Sequence, residues 1–402
     1  MTTDLGGPVD LLTWRKEFPI LENTVYLISN SLGAMPRGVN DALREYAETW
    51  ATRGVRAWGE SWWEMPVRLG DLFGPILGCG PGEVSFHQNV TLAEAVILSC
   101  FSFEGSRRRI LLTDMEFPSV MYLYQAQQSR GAEIRVVQSQ DGITIDLDRF
   151  LEAIDERTLL VPVSHVLFRS AYIMDARAII SRAHEVGATV ILDVYQSAGI
   201  VPIDVKALEA DVVIGGCLKW LCGGPGAAFL YVRPDLRSKL EPKLTGWMAH
   251  RNSFGFETEG MRFRDDAFRF LNGTPHIPCL YAARPGLEIL GTIGVERVRA
   301  NSVRQVAHLI ELAREQGFPL SVPTQPERRG GTVAVNPPHA YEISRELIRR
   351  DFVVDFRPGA GIRISPHFYT SDEELERVIR EIRQIIDSRA YERHSGRRSY
   401  VT

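Results

Sequence analysis

The sequence is poor in cysteine, in long apolar runs and in net charge. Its 402 residues include five cysteines, which are scattered and form no CxxC pair, so neither a disulfide framework nor a metal site is expected. No apolar run approaches the length of a membrane span, and the N-terminus lacks the segments of a signal peptide, which favours a cytoplasmic protein. The formal net charge of -4 offers no basic field to nucleic acid or anionic lipid.

The rest of the composition is that of an ordinary soluble globular protein. Apolar residues make up 45% and charged residues 24% of the chain, and this length suits one large α/β domain with a smaller second domain. From residue 83 onward, short apolar runs alternate with helix-like stretches. The runs are VSFH, RILLTD, EIRVVQ, TLLVPVSHV, ATVILD, DVVIGG and AAFLYV. This alternation predicts an α/β fold in which a mainly parallel sheet of about seven strands lies between helices.

The same pattern divides the chain into three parts. Residues 1–40, with the loop sequence NSLGAMPRG, are predicted to form an N-terminal arm and substrate loop. Residues 41–280 contain the alternating runs and are predicted to form the large cofactor-binding domain. A helical stretch, ARPGLEILGTIGVERVRANSVRQVAHLIELAREQG, then leads into a smaller α+β domain over residues 281–402.

Lys219 lies in an unusually apolar setting for a lysine. It follows the run DVVIGG, is flanked by Leu218 and Trp220, and precedes the glycine-rich stretch GGPG. Burial disfavours the charged form of an amine, so this setting favours a lysine that reacts as a nucleophile. Asp193 ends the run ATVILD, where a carboxylate could hold the positive charge of a heterocycle nitrogen. Together the two residues predict a Schiff base between Lys219 and pyridoxal 5'-phosphate, with Asp193 under the pyridinium.

Three weaker signals accompany this pair. Thr91, with Glu94 three residues later, has the pattern of a capping box at the start of a helix, where free N–H groups bind phosphate. Phe117 follows the run RILLTD, where an aromatic ring could stack on a planar cofactor or belong to the core. Arg363 could bind a substrate carboxylate bidentately or form a structural ion pair, and the sequence leaves both interpretations open.

The motifs resemble those of fold-type I pyridoxal-phosphate enzymes of the class V aminotransferase group, and within it the kynureninase-like branch. The resemblance extends from residue 26 to residue 370. It is carried by YLISNSLGAMPRG, FHQNVTL, the FPS of residues 117–119, SHVLFRSA, DVYQSAGIVPIDV, the lysine segment with GGPGAAF, LTGWMAH, FLNGTP and GIRISPHFY. The lysine segment with its upstream aspartate is specific for the cofactor, and the other motifs are typical of this branch.

The resemblance implies a role for each matching residue. Lys219 would be the catalytic residue that binds the cofactor covalently and transfers protons. The cofactor-binding residues would be Val90, Thr91, Phe117, Asp193, Gln196, Lys219, Trp247, Asn272 and Thr274. The substrate-binding residues would be Arg363, Asn30 and Ser31. Asn272 and Thr274 would reach the phosphate from a second subunit, which implies a homodimer with shared active sites.

Three positions depart from the kynureninase pattern. Gln196 stands where those enzymes carry a histidine three residues after the aspartate, and Leu218 stands where they carry a tyrosine before the lysine. Val120 replaces an aspartate after the FPS-like motif. In kynureninases that tyrosine is thought to transfer protons. This sequence therefore keeps the residues that would bind the cofactor but lacks some of those that would hydrolyse kynurenine.

These residues support one function and leave an alternative open. The first is a kynureninase-like lyase that cleaves an amino-acid side chain at a C–C or C–S bond. The alternative is an aminotransferase, epimerase or decarboxylating oxidative deaminase of a specialised biosynthetic pathway. Cysteine desulfuration ranks lower, because the small-domain stretch TQPERRGGTVAVN has no cysteine. A non-catalytic protein on this fold is disfavoured, because Lys219 and Asp193 are both present.

Overall fold

The computed structural model describes residues 10–396, and its largest element is a seven-stranded sheet. The strands up to residue 232 are β1 (Val25–Tyr26), β2 (Val84–His87), β3 (Arg109–Thr113), β4 (Glu133–Val137), β5 (Thr158–Ser164), β6 (Thr189–Asp193), β7 (Val212–Gly216) and β8 (Ala228–Val232). The sheet has the order β2-β8-β7-β6-β5-β3-β4. The pairs from β4 through β3, β5 and β6 to β7 are parallel, whereas β8 is antiparallel to both neighbours. The predicted mainly parallel seven-stranded sheet is confirmed.

Helices cover both faces of this sheet. They are α1 (Val39–Arg53), α2 (Met65–Leu77), α3 (Val90–Leu98), α4 (Pro118–Gln125), α5 (Leu147–Glu152), α6 (Ala176–Val186), α7 (Pro234–Arg237), α8 (Ile277–Ile293), α9 (Val295–Glu315), α10 (Ala340–Arg349) and α11 (Asp372–Asp387). On β3, Leu111 belongs to one apolar core and Ile110 and Leu112 belong to the other, as the two-residue period of a strand requires. None of the helices between residues 10 and 396 is long and apolar enough to cross a membrane.

Shorter helical turns connect these elements. A π-helical turn spans Trp58–Trp62. The 3-10 turns are Leu11–Glu17, Pro19–Glu22, Ala126–Arg130, Trp247–Ala249, Ser253–Gly255, Ala267–Phe270, Pro326–Arg328 and Ala390–His394.

Helix α6 illustrates how the sequence sets these boundaries. Asp175 caps its N-terminus by accepting a hydrogen bond from the Ala178 N–H at 3.1 Å. Ile180 and Ala183 lie on the buried side of the helix. Gly187 ends it with a φ of 72°, a conformation that favours glycine. The chain then enters β6 and reaches Asp193.

A second, smaller unit follows the sheet. Its strands are β9 (Val333–Val335), β10 (Phe352–Val353), β11 (Asp355–Arg357) and β12 (Gly361–Ile364). β11, β12 and β9 form an antiparallel sheet, and α9, α10 and α11 pack on it around a separate apolar core. β10 pairs in parallel with β1, so the N-terminal segment is tied to this unit rather than standing alone as an arm.

The core of the large unit extends past the boundary predicted after residue 280. That position lies inside α8, whose buried face, including Leu287 and Leu290, belongs to the same core as α2. Gly294, with a φ of 85°, separates α8 from α9, so the predicted single helical stretch is two helices. Leu309 in α9 already belongs to the core of the smaller unit. The two units therefore divide within α9.

Five parallel strands end at the same edge of the large sheet, and four of them, β3, β5, β6 and β7, bring their last residues to one region of it. The last residues of β3, β5, β6 and β7 are Thr113, Ser164, Asp193 and Gly216. In open α/β sheets the carboxyl ends of strands are where ligands bind. This edge is therefore the expected place for a site.

Candidate active site

A cavity of about 300 Å³ lies at the carboxyl edge of the sheet. The predicted site residues that line it are Asn30, Ser31, Val90, Thr91, Phe117, Asp193, Gln196, Lys219 and Arg363. Residues that the prediction did not place in the site also line it, and these include Glu94, Val120, Tyr195, Leu218 and Arg357. Trp247, Asn272 and Thr274 are not part of this lining. The fold thus brings nine of the twelve predicted residues together.

Lys219 lies on the loop that follows β7, with its amine inside the cavity. Burial lowers the pKa of this amine to about 7, and the negative charge of Asp193 opposes the shift. The loop is held by the N-terminal segment, because the Gly33 N–H donates to the carbonyl oxygen of Leu218 at 2.9 Å. A Cβ at Gly33 would lie 2.1 Å from the carbonyl oxygen of Lys219, so only glycine permits this approach. A large fraction of this amine is therefore unprotonated and nucleophilic near neutral pH.

Asp193 faces the cavity from the end of β6. One carboxylate oxygen accepts a hydrogen bond from the Tyr195 N–H at 2.7 Å. Burial raises the pKa of Asp193, while this hydrogen bond and the charge of Lys219 act in the opposite direction. A cationic ring nitrogen placed next to this carboxylate would offset the cost of its burial.

The N-terminus of α3 opens onto the same cavity. Asn89 is the capping residue, since its side chain accepts a hydrogen bond from the Leu92 N–H at 2.9 Å. The capping box predicted for Thr91 and Glu94 is therefore wrong: Thr91 lies inside the helix, and Glu94 is buried in the cavity wall. The first N–H groups of a helix have no intrahelical partner and favour anions. The helix end at Val90 and Thr91 consequently suits a phosphate group.

Two aromatic rings lie beside the amine of Lys219. Its Nζ is 5.9 Å from the centroid of the Phe117 ring and 4.2 Å from that of the Tyr195 ring. Phe117 precedes α4 and is 45% exposed, so it belongs to the cavity mouth rather than to the core. Tyr195 is held over Gly216, where a Cβ would lie 2.6 Å from the tyrosine ring. Two aromatic walls therefore border the Lys219 amine.

Arg363 is 3% exposed and forms an ion pair with Asp355. Its Nε donates to Asp355 at 2.8 Å, its Nη2 donates to the other carboxylate oxygen, and its Nη1 donates to the Phe168 carbonyl oxygen at 2.6 Å. Arg357 also pairs with Asp355, at 3.2 Å, and lines the cavity. The structural ion pair that the sequence left open is present. Two guanidinium groups share one carboxylate, so this wall keeps a net positive charge for an anion.

Asn30 presents an unpaired amide to the cavity. Its side chain is 1% exposed, and neither its oxygen nor its nitrogen has a hydrogen-bond partner within residues 10–396. The backbone carbonyl oxygen of Asn30 accepts a hydrogen bond from the Gln196 side chain at 3.0 Å. Gln196 thereby fixes the loop that carries Asn30 and Ser31. A buried amide without partners is rare in folded proteins and indicates a ligand.

Trp247, Asn272 and Thr274 lie elsewhere on the surface. Trp247 is 42% exposed and packs against Trp63, with ring centroids 4.8 Å apart. Asn272 and Thr274 border a separate crevice that includes His87. The Asn272 carbonyl oxygen lies close to Gly246, where a Cβ would be 2.5 Å away. These three residues do not reach the cavity of their own chain.

Two cavity-lining residues, Arg357 and Tyr195, were not predicted from the sequence, although the hairpin that carries Arg357 has a sequence signal. Asp355 and Arg363 are directly opposite each other in the β11–β12 hairpin, and the segment DFRPGAGIR has the turn residues of such a hairpin. Arg357 is two residues after Asp355 in the same strand, so it is expected on the same face of the hairpin. Tyr195 stands two residues after Asp193, but its approach to Lys219 depends on a contact between two separate loops, which no local pattern reports.

The comparisons with known proteins agree with this geometry. The model of the aminotransferase class-V family matches residues 25–378. An uncharacterised aminotransferase, YcbU, of Bacillus subtilis (strain 168) is 32% identical over 92% of this chain and 96% of its own. A kynureninase of Bacillus thuringiensis subsp. konkukian (strain 97-27) is 29% identical over 98% of this chain and 95% of its own.

Solved structures show the same fold. The apo cysteine desulfurase of Thermococcus onnurineus NA1 superimposes with a TM-score of 0.83 at 22% identity, covering 94% of this chain and 98% of its own. The complex of the cystine C–S lyase C-DES with its product cysteine persulfide gives a TM-score of 0.82 at 21% identity, covering 91% of this chain and 98% of its own. The predicted resemblance to fold-type I enzymes is confirmed.

The cavity also meets the chemical needs of pyridoxal phosphate. It combines an amine with a lowered pKa, a carboxylate at a strand end, a helix N-terminus, and the buried polar atoms of Asn30 and Glu94 that the described protein leaves unpaired. These are the groups that an aldehyde, a ring nitrogen and a phosphate would engage. The chain belongs to the aminotransferase class-V family and is a pyridoxal-phosphate-dependent enzyme.

Proposed function

We propose that this enzyme is a lyase that cleaves the side chain of an amino-acid substrate at a C–C or C–S bond. The observation that carries the proposal is the 4.2 Å contact between the Lys219 amine and the Tyr195 ring. Side-chain cleavage needs proton transfer at two places, the Cα and the departing side chain. The Lys219 amine and the hydroxyl carried by the neighbouring Tyr195 ring would supply these two transfers. The end-to-end match with a kynureninase supports the same reaction type.

The cofactor would be held at both of its ends. Lys219 would bind its aldehyde carbon, Asp193 would pair with the ring nitrogen, and Val90 and Thr91 would bind the phosphate at the start of α3. Phe117 would cover the ring at the cavity mouth. When bound, pyridoxal phosphate makes the bonds at the substrate Cα labile by delocalising negative charge into its ring.

The residues of the chain would supply the proton transfers. The amine of Lys219, with a pKa of about 7, can take a proton from the substrate Cα and return it. Burial raises the pKa of the Tyr195 hydroxyl, so this group keeps its proton near neutral pH and can donate it to a leaving side chain. In kynureninases a tyrosine precedes the lysine, and Leu218 occupies that place here. Tyr195 would substitute for it from a different position.

The substrate carboxylate would bind at the positively charged wall. Arg363 is oriented by Asp355 and the Phe168 carbonyl oxygen, and Arg357 adds a second guanidinium group to the lining. The unpaired amide of Asn30 would complete the binding of the carboxylate or the amino group. Lysine cannot reproduce the planar fork of arginine. Arg363→Lys is therefore expected to raise KM, and unchanged kinetics would show that the carboxylate binds elsewhere.

A second candidate function is transamination. It is favoured by the cavity itself, because Gln196, Leu218 and Val120, which replace polar residues of the kynureninases, all line it. A 32% identical relative also carries the name aminotransferase. Transamination needs only the lysine for proton transfer. On this ground L-kynurenine is expected to be a poor substrate.

Product analysis distinguishes the two candidates. The holoenzyme is incubated with amino acids, including kynurenine and S-substituted cysteines, with and without a 2-oxo acid. A lyase releases the side-chain fragment without needing a 2-oxo acid, whereas an aminotransferase converts the substrate to its own 2-oxo acid only when an acceptor is present. If Tyr195→Phe forms cleavage products as fast as the parent enzyme does, Tyr195 does not have the proposed role.

The enzyme would act as a homodimer with shared sites. Trp247, Asn272 and Thr274 are absent from the cavity of their own chain, and a partner related by two-fold symmetry could place them at its neighbour's cavity. Mixing inactive Lys219→Ala with inactive Asn272→Ala subunits should then restore part of the activity, because one site of each mixed dimer is intact. No recovery after verified subunit exchange would contradict shared sites.

A further inference from the structure

Glu94 is a buried carboxyl group in the wall of the cavity. It lies on α3, one turn after the helix end that faces the cavity, and is 1% exposed. One oxygen accepts a long hydrogen bond, 3.4 Å, from the hydroxyl of Tyr124 on α4. The other oxygen has no hydrogen-bond partner within residues 10–396. Glu94 thus has a free polar atom at a place where water is excluded.

The neighbours of Glu94 are mostly acidic. Burial is the main reason that its pKa is raised well above the usual value, and the negative charges of Asp193 and Glu116 raise it further. The nearby Tyr124 hydroxyl also has a raised pKa because of burial. Lys219 faces Asp193 across the cavity. Burial and the two neighbouring acids therefore favour the protonated form of Glu94, which can donate a hydrogen bond.

Glu116, the buried carboxyl group whose charge acts on Glu94, has hydrogen-bond partners of its own. It accepts hydrogen bonds from the Thr113 hydroxyl at 2.8 Å and from the N–H and hydroxyl of Ser164 at 3.0 and 2.5 Å. Asp193 accepts one from the Tyr195 N–H. Both have partners within the chain, and the free oxygen of Glu94 does not. A buried polar group without a partner destabilises the protein, and a ligand that supplies the partner removes this cost.

We propose that Glu94 is a further cofactor-binding residue that donates a hydrogen bond from its carboxylic acid to a polar atom of pyridoxal phosphate. The proposal rests on the function assigned to the cavity above. In a helix the Cα–Cβ bond tilts toward the N-terminus, so this side chain leans toward the end of α3 that would hold the phosphate. Asp193 would bind the ring nitrogen, and Glu94 would provide a neutral donor beside it without adding a second negative charge.

Cofactor titration of the apoenzyme tests this role. Glu94→Leu removes the donor and keeps an apolar side chain of similar size, whereas Glu94→Gln keeps a donor and no ionisable proton. Glu94→Leu is expected to weaken pyridoxal-phosphate binding about tenfold, equivalent to about 1.4 kcal/mol, while the thermal stability of the apoprotein stays equal or rises because an unpaired polar group is gone. Glu94→Gln should stay within about threefold of the parent. Binding by Glu94→Leu as tight as that of the parent would overturn the proposal.

Tyr124→Phe is the matched control. It removes the α4 hydroxyl that donates to Glu94 and leaves the carboxyl in place, so cofactor affinity should change by less than about twofold. If Tyr124→Phe weakens binding as much as Glu94→Leu, Glu94 acts through the packing of α3 on α4, and the proposed contact is wrong.

Infrared spectroscopy gives a readout independent of activity and of folding losses. The difference spectrum between cofactor-bound and apo protein should contain a shifted carbonyl band of a protonated carboxylic acid, and this band should be missing in Glu94→Gln. A band that does not shift on cofactor binding would refute the contact. Failure of the cavity assignment itself looks different: in that case the cofactor would not be found on Lys219 of the parent after borohydride reduction and peptide mapping.

Discussion

Two buried glutamates, one in each unit of the molecule, differ in how fully their carboxyl groups are hydrogen-bonded. Glu346, on α10 in the smaller unit, is 0% exposed, and its oxygens accept hydrogen bonds from Arg349, Arg350 and His394. Glu94, at the cavity of the large unit, has one long hydrogen bond and one oxygen without a partner in the described chain. Hydrogen bonding, first of all from Arg349, lowers the pKa of Glu346, whereas burial raises that of Glu94.

The number of hydrogen-bond partners distinguishes buried polar groups that stabilise the fold from buried polar groups that are expected to bind a ligand. A buried charge with several partners is held in one geometry, and removing it leaves those partners unpaired. A buried polar group without partners costs stability, and such groups cluster at sites where a ligand supplies the missing contacts. Asn30 and Glu94 belong to this second class and share one cavity with Lys219. Substitutions in the two regions should therefore change different properties.

The largest effect is expected for Lys219→Ala. Loss of the amine would remove the proposed attachment point of the cofactor and the proposed proton-transfer group, so kcat/KM should fall by at least about a thousandfold. The free energy of unfolding of the apoprotein should not fall, because the variant no longer buries an amine. Lys239→Ala, at an exposed position, is the control and should leave both quantities unchanged. An unfolded or unstable Lys219→Ala protein would show that this cavity residue is needed for the stability of the fold, contrary to the distinction drawn above.

Glu346→Gln should have the opposite profile. The change weakens the hydrogen bonds from Arg349, Arg350 and His394, and the free energy of unfolding should fall by about 2 kcal/mol, part of the full loss being screened because these partners are partly exposed. Cofactor affinity should stay the same. Glu376→Gln, in an exposed pair with Arg380, should change stability by less than about 0.5 kcal/mol. Urea denaturation and cofactor titration measure the two properties.

The pH dependence of stability should differ between the two regions. Burial raises the pKa of Glu116 to about 7 from a usual value of 4.5, so the folded chain binds the extra proton and the contribution of Glu116 to stability falls as pH rises from 4.5 to 7, by about 1.4 kcal/mol per pH unit at most. The pKa of Glu346 is lowered, so its contribution is lost as pH falls below 4.5.

Denaturation of the apoprotein at pH 5, 6 and 7 (roughly the window set by the two pKa values) checks this sign. Glu116→Gln should become more stable relative to the parent as the pH rises through that window. A constant difference between the two proteins would show that Glu116 titrates normally.

The smallest effect is expected for a pair of buried amides. Asn30 has an unpaired amide in the cavity, whereas Gln305, in α9, donates to the Thr370 carbonyl oxygen at 2.7 Å. Asn30→Ala should raise KM about fivefold, the value of one hydrogen bond, and leave stability unchanged. Gln305→Ala should lower stability by about 1 kcal/mol and leave KM unchanged. If Asn30→Ala lowers stability and Gln305→Ala raises KM instead, the distinction between the two regions is wrong.

Much of the fold could be predicted because its signals are local. The apolar run ATVILD and its neighbours predicted the strands of the sheet, and Asp193 at the end of its run predicted the side of the sheet that faces the ligand. The apolar flanks of Lys219 predicted its burial, which the lowered pKa reflects. The helix pattern failed at the start of α3, because Asn89, rather than Thr91, takes the capping position. Caps depend on which backbone N–H a side chain reaches, and neighbouring residues compete for it.

The sequence by itself determined the fold class, the family and the cofactor and singled out Lys219 as the candidate lysine, because apolar periodicity and short motifs are properties of neighbouring residues. Only the tertiary structure decided that Asp355 is shared by Arg363 and Arg357, that Tyr195 lies against Lys219, and that Trp247 stays away from the cavity of its own chain. The tertiary structure was also needed to show that Glu94 has an oxygen without a partner in the described chain whereas Glu346 is fully hydrogen-bonded. Both are glutamates on helices. The arginines that lower the pKa of Glu346 follow it by three and four residues, whereas the burial and the charges of Asp193 and Glu116 that raise the pKa of Glu94 come from distant parts of the chain.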